Sequence, residues 1–162
     1  MKRTSFFSIA LLLISMCLFS CNSDDEKEVE TIVTYEELPE RAQQFIKSYF
    51  NGEDNIDKIV KNEDGSVPIF EVDTKDGYEI VFNQMGFWQE IVAPAYKTIP
   101  VSILPEPIQQ TLSYQYHGYG IIVVNTEGEN YHIVLSNNQG GDSIGLTFNQ
   151  SGEIVSTDQN PV

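Results

Sequence analysis

The imidazole is the side chain best suited to proton transfer and metal ligation near neutral pH. His117 and His132 are the two histidines of the 162-residue chain. They fall on different elements, with no further ligands at the spacing a metal site needs, so both read as surface or hydrogen-bonded histidines. Asn62-Glu63-Asp64-Gly65 and residues 73–77 offer oxygen ligands without the order of a calcium loop, and read as hairpin turns. Gly140 and Gly141 are followed by neither a lysine nor a helix, so they form no phosphate cradle. No nucleophile elbow is visible, and no spacing aligns a Ser, a His and an Asp. No catalytic residue, cofactor or metal is therefore expected, and the chain reads as a binding protein rather than an enzyme. Aromatic side chains are the best binding candidates, because they carry interface energy at low entropic cost. Phe87, Tyr114 and Tyr119 stand out as contact residues, whereas Trp88 and Tyr116 read as packed.

The elements that position these residues follow from an internal repeat. Leu38-Pro39-Glu40-x-x-Gln43-Gln44 recurs 66 positions later as Leu104-Pro105-Glu106-x-x-Gln109-Gln110. Phe82-Asn83-Gln84-x-Gly86 recurs at the same offset as Phe148-Asn149-Gln150-x-Gly152, and Gly52/Gly118 and Asp76/Asp142 fall on it too. Self-similarity at a fixed period implies two copies of one supersecondary unit. Each opens with a helix: a proline in the first turn, a glutamate beside the positive end, and apolar residues at helical spacing (Ala42, Phe45, Ile46, Tyr49; Ile108, Leu112, Tyr116) up to a glycine stop.

Strands complete each unit. In the first they are expected at 56–60, 69–73, 78–83 and 87–92, and in the second at 121–124, 131–135, 143–149 and 153–157. Turns are read at Asp64-Gly65, Asp76-Gly77, Gln84–Gly86 and Glu127-Gly128, with a longer loop over 136–141. Alternation points Tyr78, Ile80, Phe82, Ile144, Leu146 and Phe148 toward the helices. Glu79, Val81, Asn83, Gly145, Thr147 and Asn149 then line the opposite face, which an antiparallel sheet can leave open. Glu79, Val81 and Thr147 are accordingly partner-contact candidates. Phe87 aligns with Glu153, so it is expected to be exposed, whereas Trp88 aligns with Ile154 and is expected to be packed. The fold class is α+β: two tandem helix-plus-four-strand units forming a curved antiparallel sheet with helices on one face. One unit alone would bury only about 60% of its surface, so the two are expected to pack together.

The N-terminus carries Lys2 and Arg3, an apolar run from Phe6 to Phe19, and then Ser20-Cys21, a secretory pattern too short for a spanning helix. Leu18-Phe19-Ser20-Cys21 resembles a lipobox, which implies cleavage before Cys21 and its acylation. Two or more acyl chains suffice for anchoring at about 0.8 kcal/mol per buried methylene. Asn22-Ser23-Asp24-Asp25-Glu26 is self-repelling and reads as a tether, and it resembles an export signal to the outer face of the Gram-negative outer membrane. Surface exposure is expected, with a periplasm-facing position as the alternative. The resulting division is 1–20 signal peptide, 21–34 lipidated cysteine and acidic tether, 35–92 first unit, 93–103 connector, and 104–158 second unit. Without 1–20 the chain keeps seven basic against 24 acidic residues, a formal charge of −17. That balance excludes nucleic acid as a ligand and disfavours electrostatic docking on anionic lipid, while it would steer in a cationic partner.

The tandem Leu-Pro helix starts with their Tyr/Phe-x-Gly ends, and the strand signature Tyr78-Glu79-Ile80-x-Phe82-Asn83-x-x-Gly86-x-Trp88, resemble the PepSY-like, β-lactamase-inhibitor-like lipoproteins. The resemblance implies side-by-side units with a curved sheet, and supplies no catalytic residues to carry over. The expected function is that of a monomeric, lipid-anchored, non-catalytic module engaging an envelope or extracellular protein or peptide through the open face. A surface lipoprotein for a small ligand or glycan is the alternative, suggested by the Tyr/Asn/Gln-rich second half.

Overall fold

A computed structural model describes residues 29–63, 67–137, 143–159 and 161. The expected signal peptide, Cys21, the start of the expected tether, the expected Asp64-Gly65 turn, residues 138–141 and Asp142 lie outside the described residues. The described chain forms nine strands and two α-helices: β1 (Val29–Ile32), α1 (Glu40–Tyr49), β2 (Ile56–Glu63), β3 (Ile69–Thr74), β4 (Glu79–Asn83), β5 (Trp88–Val92), α2 (Glu106–Gln115), β6 (Tyr119–Glu127), β7 (Asn130–Asn137), β8 (Ser143–Phe148) and β9 (Ile154–Asp158). The strands follow one another in chain order across a single antiparallel sheet. The result is a mixed fold of an open antiparallel sheet and two helices.

Alternation assigns the faces as read. Phe70, Val72, Ile80, Phe82, Ile91, Val124, Ile133, Leu135, Leu146 and Phe148 are buried. They share one core with Ala42 and Ile46 of α1 and Ile108 and Leu112 of α2, so both helices cover the same sheet face. Trp88 packs as expected, with its ring 6.4 Å from Phe45 and 6.2 Å from Tyr131.

Each residue of the first repeated motif has a job at a helix start. Leu38 and Leu104 are buried, and Pro39 and Pro105 cap the helices without a side-chain acceptor. The Gln43 and Gln109 amides instead reach back to donate to the Leu38 and Leu104 carbonyls, at 2.9 and 2.7 Å. The second motif turns the chain directly beneath them. Gly86 and Gly152 have φ of +77° and +79°, and each closes a turn by donating to the carbonyl of Asn83 or Asn149. A Cβ on Gly86 would lie 2.9 Å from Pro39 Cβ and 2.8 Å from Ala42 N; on Gly152 it would lie 2.6 Å from the Pro107 carbonyl carbon. The two motifs therefore touch: glycine is needed both for the turn and for the close approach of the helix start.

Several boundaries differ from the sequence reading. The tether was expected to run to residue 34, yet Val29–Ile32 form β1 on the edge of β2, and Val33 N–H donates to the Ile59 carbonyl at 3.1 Å. The acidic run reaches into the strand only as Glu30, and Thr31-Ile32-Val33-Thr34 behind it is a β-branched stretch that suits a strand. The strands β6 and β7 also extend beyond the expected 121–124 and 131–135: a tight turn at Gly128 lets pairing continue to Glu127 and Asn130, and at the other end Tyr119 pairs with Asn137 and Gly120 with Ser136, so the first two residues of the expected 136–141 loop are strand.

The Asp76-Gly77 hairpin is anchored on all sides. Asp76 Oδ1 accepts from Asn55 Nδ2 and Thr74 Oγ1, both at 2.8 Å, and Oδ2 pairs with Lys97 Nζ at 3.0 Å. Burial works to raise the Asp76 pKa, but hydrogen bonds from Asn55, Lys97 and Thr74, with the Lys97 charge, outweigh it and hold the carboxyl below its ordinary range.

Candidate functional site: the open sheet face

Register sets the far face of the sheet. Val81, Glu90, Asn125, His132, Thr147 and Ser156 are successive cross-strand partners from β4 to β9. Beside them runs Asp73, Glu79, Val92, Val123, Val134, Gly145 and Asp158. The middle of the face is thus aliphatic, with Val81, Val92, Val123 and Val134 half-buried. Carboxylates flank it: Glu71, Asp73, Glu79 and Glu90 toward one side, Glu127 and Asp158 toward the other. Glu71 accepts from Asn62 Nδ2 at 2.8 Å, and Asp73 lies opposite Lys58.

At the β6–β9 end the face becomes a polar hollow of about 460 Å³. Ser156 Oγ donates to Thr147 Oγ1 at 2.8 Å, and Thr147 Oγ1 lies 3.0 Å from His132 Nδ1. Thr147 Oγ1 has a second lone pair besides the one that takes the Ser156 proton, so it serves His132 Nδ1 as donor or as acceptor according to the ring tautomer. Nε2 is buried and 3.3 Å from Glu127 Oε2, close enough for an ion pair but not aligned as a hydrogen bond. A hydroxyl, an imidazole and a carboxylate in this order resemble a nucleophile–base array in role. The amides around Thr147, however, are directed into the β7–β8 and β8–β9 ladders and do not converge on a developing oxyanion. Among the described residues, no group of three or more His, Cys, Asp or Glu is placed to hold a metal ion.

The candidates read from sequence separate into three places. Glu79, Val81 and Thr147 lie on the open face. Phe87 is 44% exposed but sits by the start of α1, where the Arg41 guanidinium covers its ring at 4.0 Å. Tyr114 projects from the end of α2, 89% exposed, and Tyr119 packs edge-on to Tyr116 beside that helix. The His132–Thr147–Ser156 chain escaped the sequence reading, because its members are 15 and nine residues apart and meet only through strand register.

Residues 68–156, from the start of β3 into β9, match the family model described as "Putative beta-lactamase-inhibitor-like, PepSY-like". The chain belongs to this PepSY-like family. The match straddles both helix-plus-strand segments and leaves β1, α1 and β2 outside. Solved structures share the architecture of this PepSY-like chain. One, a "putative periplasmic protein" from Bacteroides vulgatus, is 23% identical with a TM-score of 0.69, over 84% of this chain and 98% of its own. Another, a "putative calcium-regulated periplasmic protein" from Bacteroides thetaiotaomicron, is 24% identical with a TM-score of 0.69, over 80% of this chain and 96% of its own. At that identity they speak to the fold of the PepSY-like chain alone. No curated protein matches it.

Proposed function

We propose that this PepSY-like protein is a lipid-anchored, non-catalytic binding module of the cell envelope, built from two copies of one helix-plus-four-strand unit. Its open face engages a protein or peptide segment that presents basic side chains around an apolar strip. The observation that carries this reading is the half-buried valine strip bordered by Glu71, Asp73, Glu79, Glu90, Glu127 and Asp158. Apolar contact supplies affinity, while the flanking carboxylates select and steer a cationic partner. Anchoring rests on the Leu18–Cys21 motif, and the Ser23-Asp24-Asp25-Glu26 run behind it supports display on the outer surface of the outer membrane. The periplasmic descriptions of the two solved relatives support the periplasm-facing alternative.

The test is capture of envelope proteins on immobilised wild-type protein and on the Glu79→Lys/Glu90→Lys and Val123→Asp variants. A specific partner retained by wild type, lost on the variants and eluted by salt is expected. Equal capture by all three, or a partner footprint confined to the helical face, refutes the open-face reading. Labelled-palmitate incorporation that disappears in Cys21→Ser checks the anchor, and protease shaving of intact cells distinguishes the two membrane faces. A second reading, a small polar ligand or glycan, is favoured by the hollow around Asn125, His132, Thr147 and Ser156. Thermal-shift screening against oligosaccharides and cations separates it from the first.

A further inference from the structure

The two helix starts share their backbone course and their Leu-Pro-Glu motif, and differ in the turn before it, Thr34-Tyr35-Glu36-Glu37 against Pro100-Val101-Ser102-Ile103. A 3-10 turn precedes each helix, Tyr35–Glu37 before α1 and Val101–Ile103 before α2. The amide of Leu38 or Leu104 closes it onto the carbonyl of its first residue. That first residue is Tyr35 in one case and Val101 in the other. Tyr35 lies against the core, and its hydroxyl donates to the Gln43 carbonyl on α1 at 2.8 Å. Among the described residues, the turn before α2 places no ring in the matching groove beside that helix. This groove is an open pocket of about 620 Å³ lined by Val101, Gln109, Leu112, Tyr116, Tyr119 and their neighbours. Its floor includes the buried side chains of Ile99, Leu112, Ile121 and Leu135.

We propose that this pocket binds a phenol ring, supplied either by a tyrosine side chain of a peptide or by a free phenolic compound. The groove beside α1 shows what the backbone arrangement accepts: one phenol, its ring on the core and its hydroxyl on the helix carbonyl. Beside α2 the short Val101 vacates that space and has no hydroxyl to offer the Gln109 carbonyl, which occupies the place of Gln43's. Tyr116 and Tyr119, in edge-on contact at 6.2 Å, add aromatic surface against which a ring can pack. The volume falls within the ~300–1,000 Å³ of small-molecule sites and leaves room beyond a single ring. The site is separate from the open sheet face, and does not depend on that face binding anything.

The probes are p-cresol, toluene as the analogue lacking the hydroxyl, and N-acetyl-tyrosinamide with a Gly-Gly-Tyr-Gly-Gly peptide, titrated into the full folded domain and followed by NMR. Saturable p-cresol binding is expected, with shifts at Tyr116 and Tyr119, nuclear Overhauser contacts from the ring to the Val101 and Leu112 methyls, and weaker binding of toluene. Val101→Tyr should fill the pocket from within and weaken p-cresol by about tenfold or more. Tighter binding of the peptide than of p-cresol identifies a side-chain source, and the reverse a free phenol. Non-saturable titrations with every phenolic probe, or p-cresol binding without contacts to the Val101 and Leu112 methyls, overturn the proposal. So does unchanged affinity in a folded Val101→Tyr variant. The contact measurement is made on the unmodified protein, so it decides the matter even if Val101→Tyr does not fold.

Discussion

Gly152→Ala separates the two reasons for a glycine beneath a helix. Gly152 has φ of +79°, and its missing Cβ would stand 2.6–2.7 Å from three atoms of Pro107, two of them backbone. Gly128, in the β6–β7 turn, has φ of +60° and nothing within 4 Å of the same position. Alanine at either site incurs the left-handed backbone cost, about 1–2 kcal/mol. At Gly152 alone the start of α2 must also lift from the turn, although Thr111 Oγ1 holds it there by donating to the Gly152 carbonyl at 2.9 Å. Overpacking of this kind adds about 1–3 kcal/mol. Gly152→Ala should therefore destabilise by about 2–5 kcal/mol in total, against about 1–2 for Gly128→Ala. Urea unfolding followed by far-UV circular dichroism reads the difference as a shift in midpoint at constant slope. Gly86→Ala should behave as Gly152→Ala does, since its Cβ would meet Ala42 N at 2.8 Å. Equal midpoints for Gly152→Ala and Gly128→Ala would refute the contact between helix start and turn, leaving backbone conformation as the whole effect.

Asp76→Asn should lower stability by about 1 kcal/mol near neutral pH, a modest figure because the pair with Lys97 is partly exposed. Since the folded-state pKa of Asp76 lies below its unfolded value, that contribution is present above the unfolded value and vanishes as pH falls through the folded one. Wild type and variant should thus converge in acid, and a constant gap in urea midpoints down to the lowest accessible pH would contradict this. Tyr35→Phe removes the hydroxyl from the Gln43 carbonyl and should cost about 1 kcal/mol. Burial first, and then the Glu53 carboxylate, raise the Tyr35 pKa, so wild type loses stability as pH climbs past the ordinary tyrosine range. The variant should lack that component of the alkaline loss. Thr147→Val breaks the Ser156–Thr147–His132 chain, and nitrogen NMR should show a changed balance of the His132 tautomers; an unchanged balance would mean that Thr147 does not set it.

Much of the fold was legible because it rests on local chemistry. The Leu-Pro-Glu starts mark both helices, the alternation in residues 78–83 and 143–149 assigns inner and outer faces, and Asp76-Gly77 and Gln84–Gly86 mark turns whose geometry needs few residues to specify. Glu79, Val81 and Thr147 could be placed on the open face for the same reason: side-chain direction in a strand follows from parity alone. The edge strand Val29–Ile32 was hidden behind the acidic run before it, and its pairing depends on a partner about 30 residues away (Ile32 opposite Val60, Val29 opposite Glu63).

By itself, then, the sequence determined the elements, their order and which face of each strand is apolar, since these depend on neighbours along the chain. Only the tertiary structure decided which repeated motif touches which, that Arg41 covers Phe87, and that His132, Thr147 and Ser156 form one chain. It alone revealed that a ring occupies the groove beside α1 while the groove beside α2 stands open. Those outcomes are set by strand register and by the distance between a helix and its turn, and both arise from packing among residues that are remote in sequence.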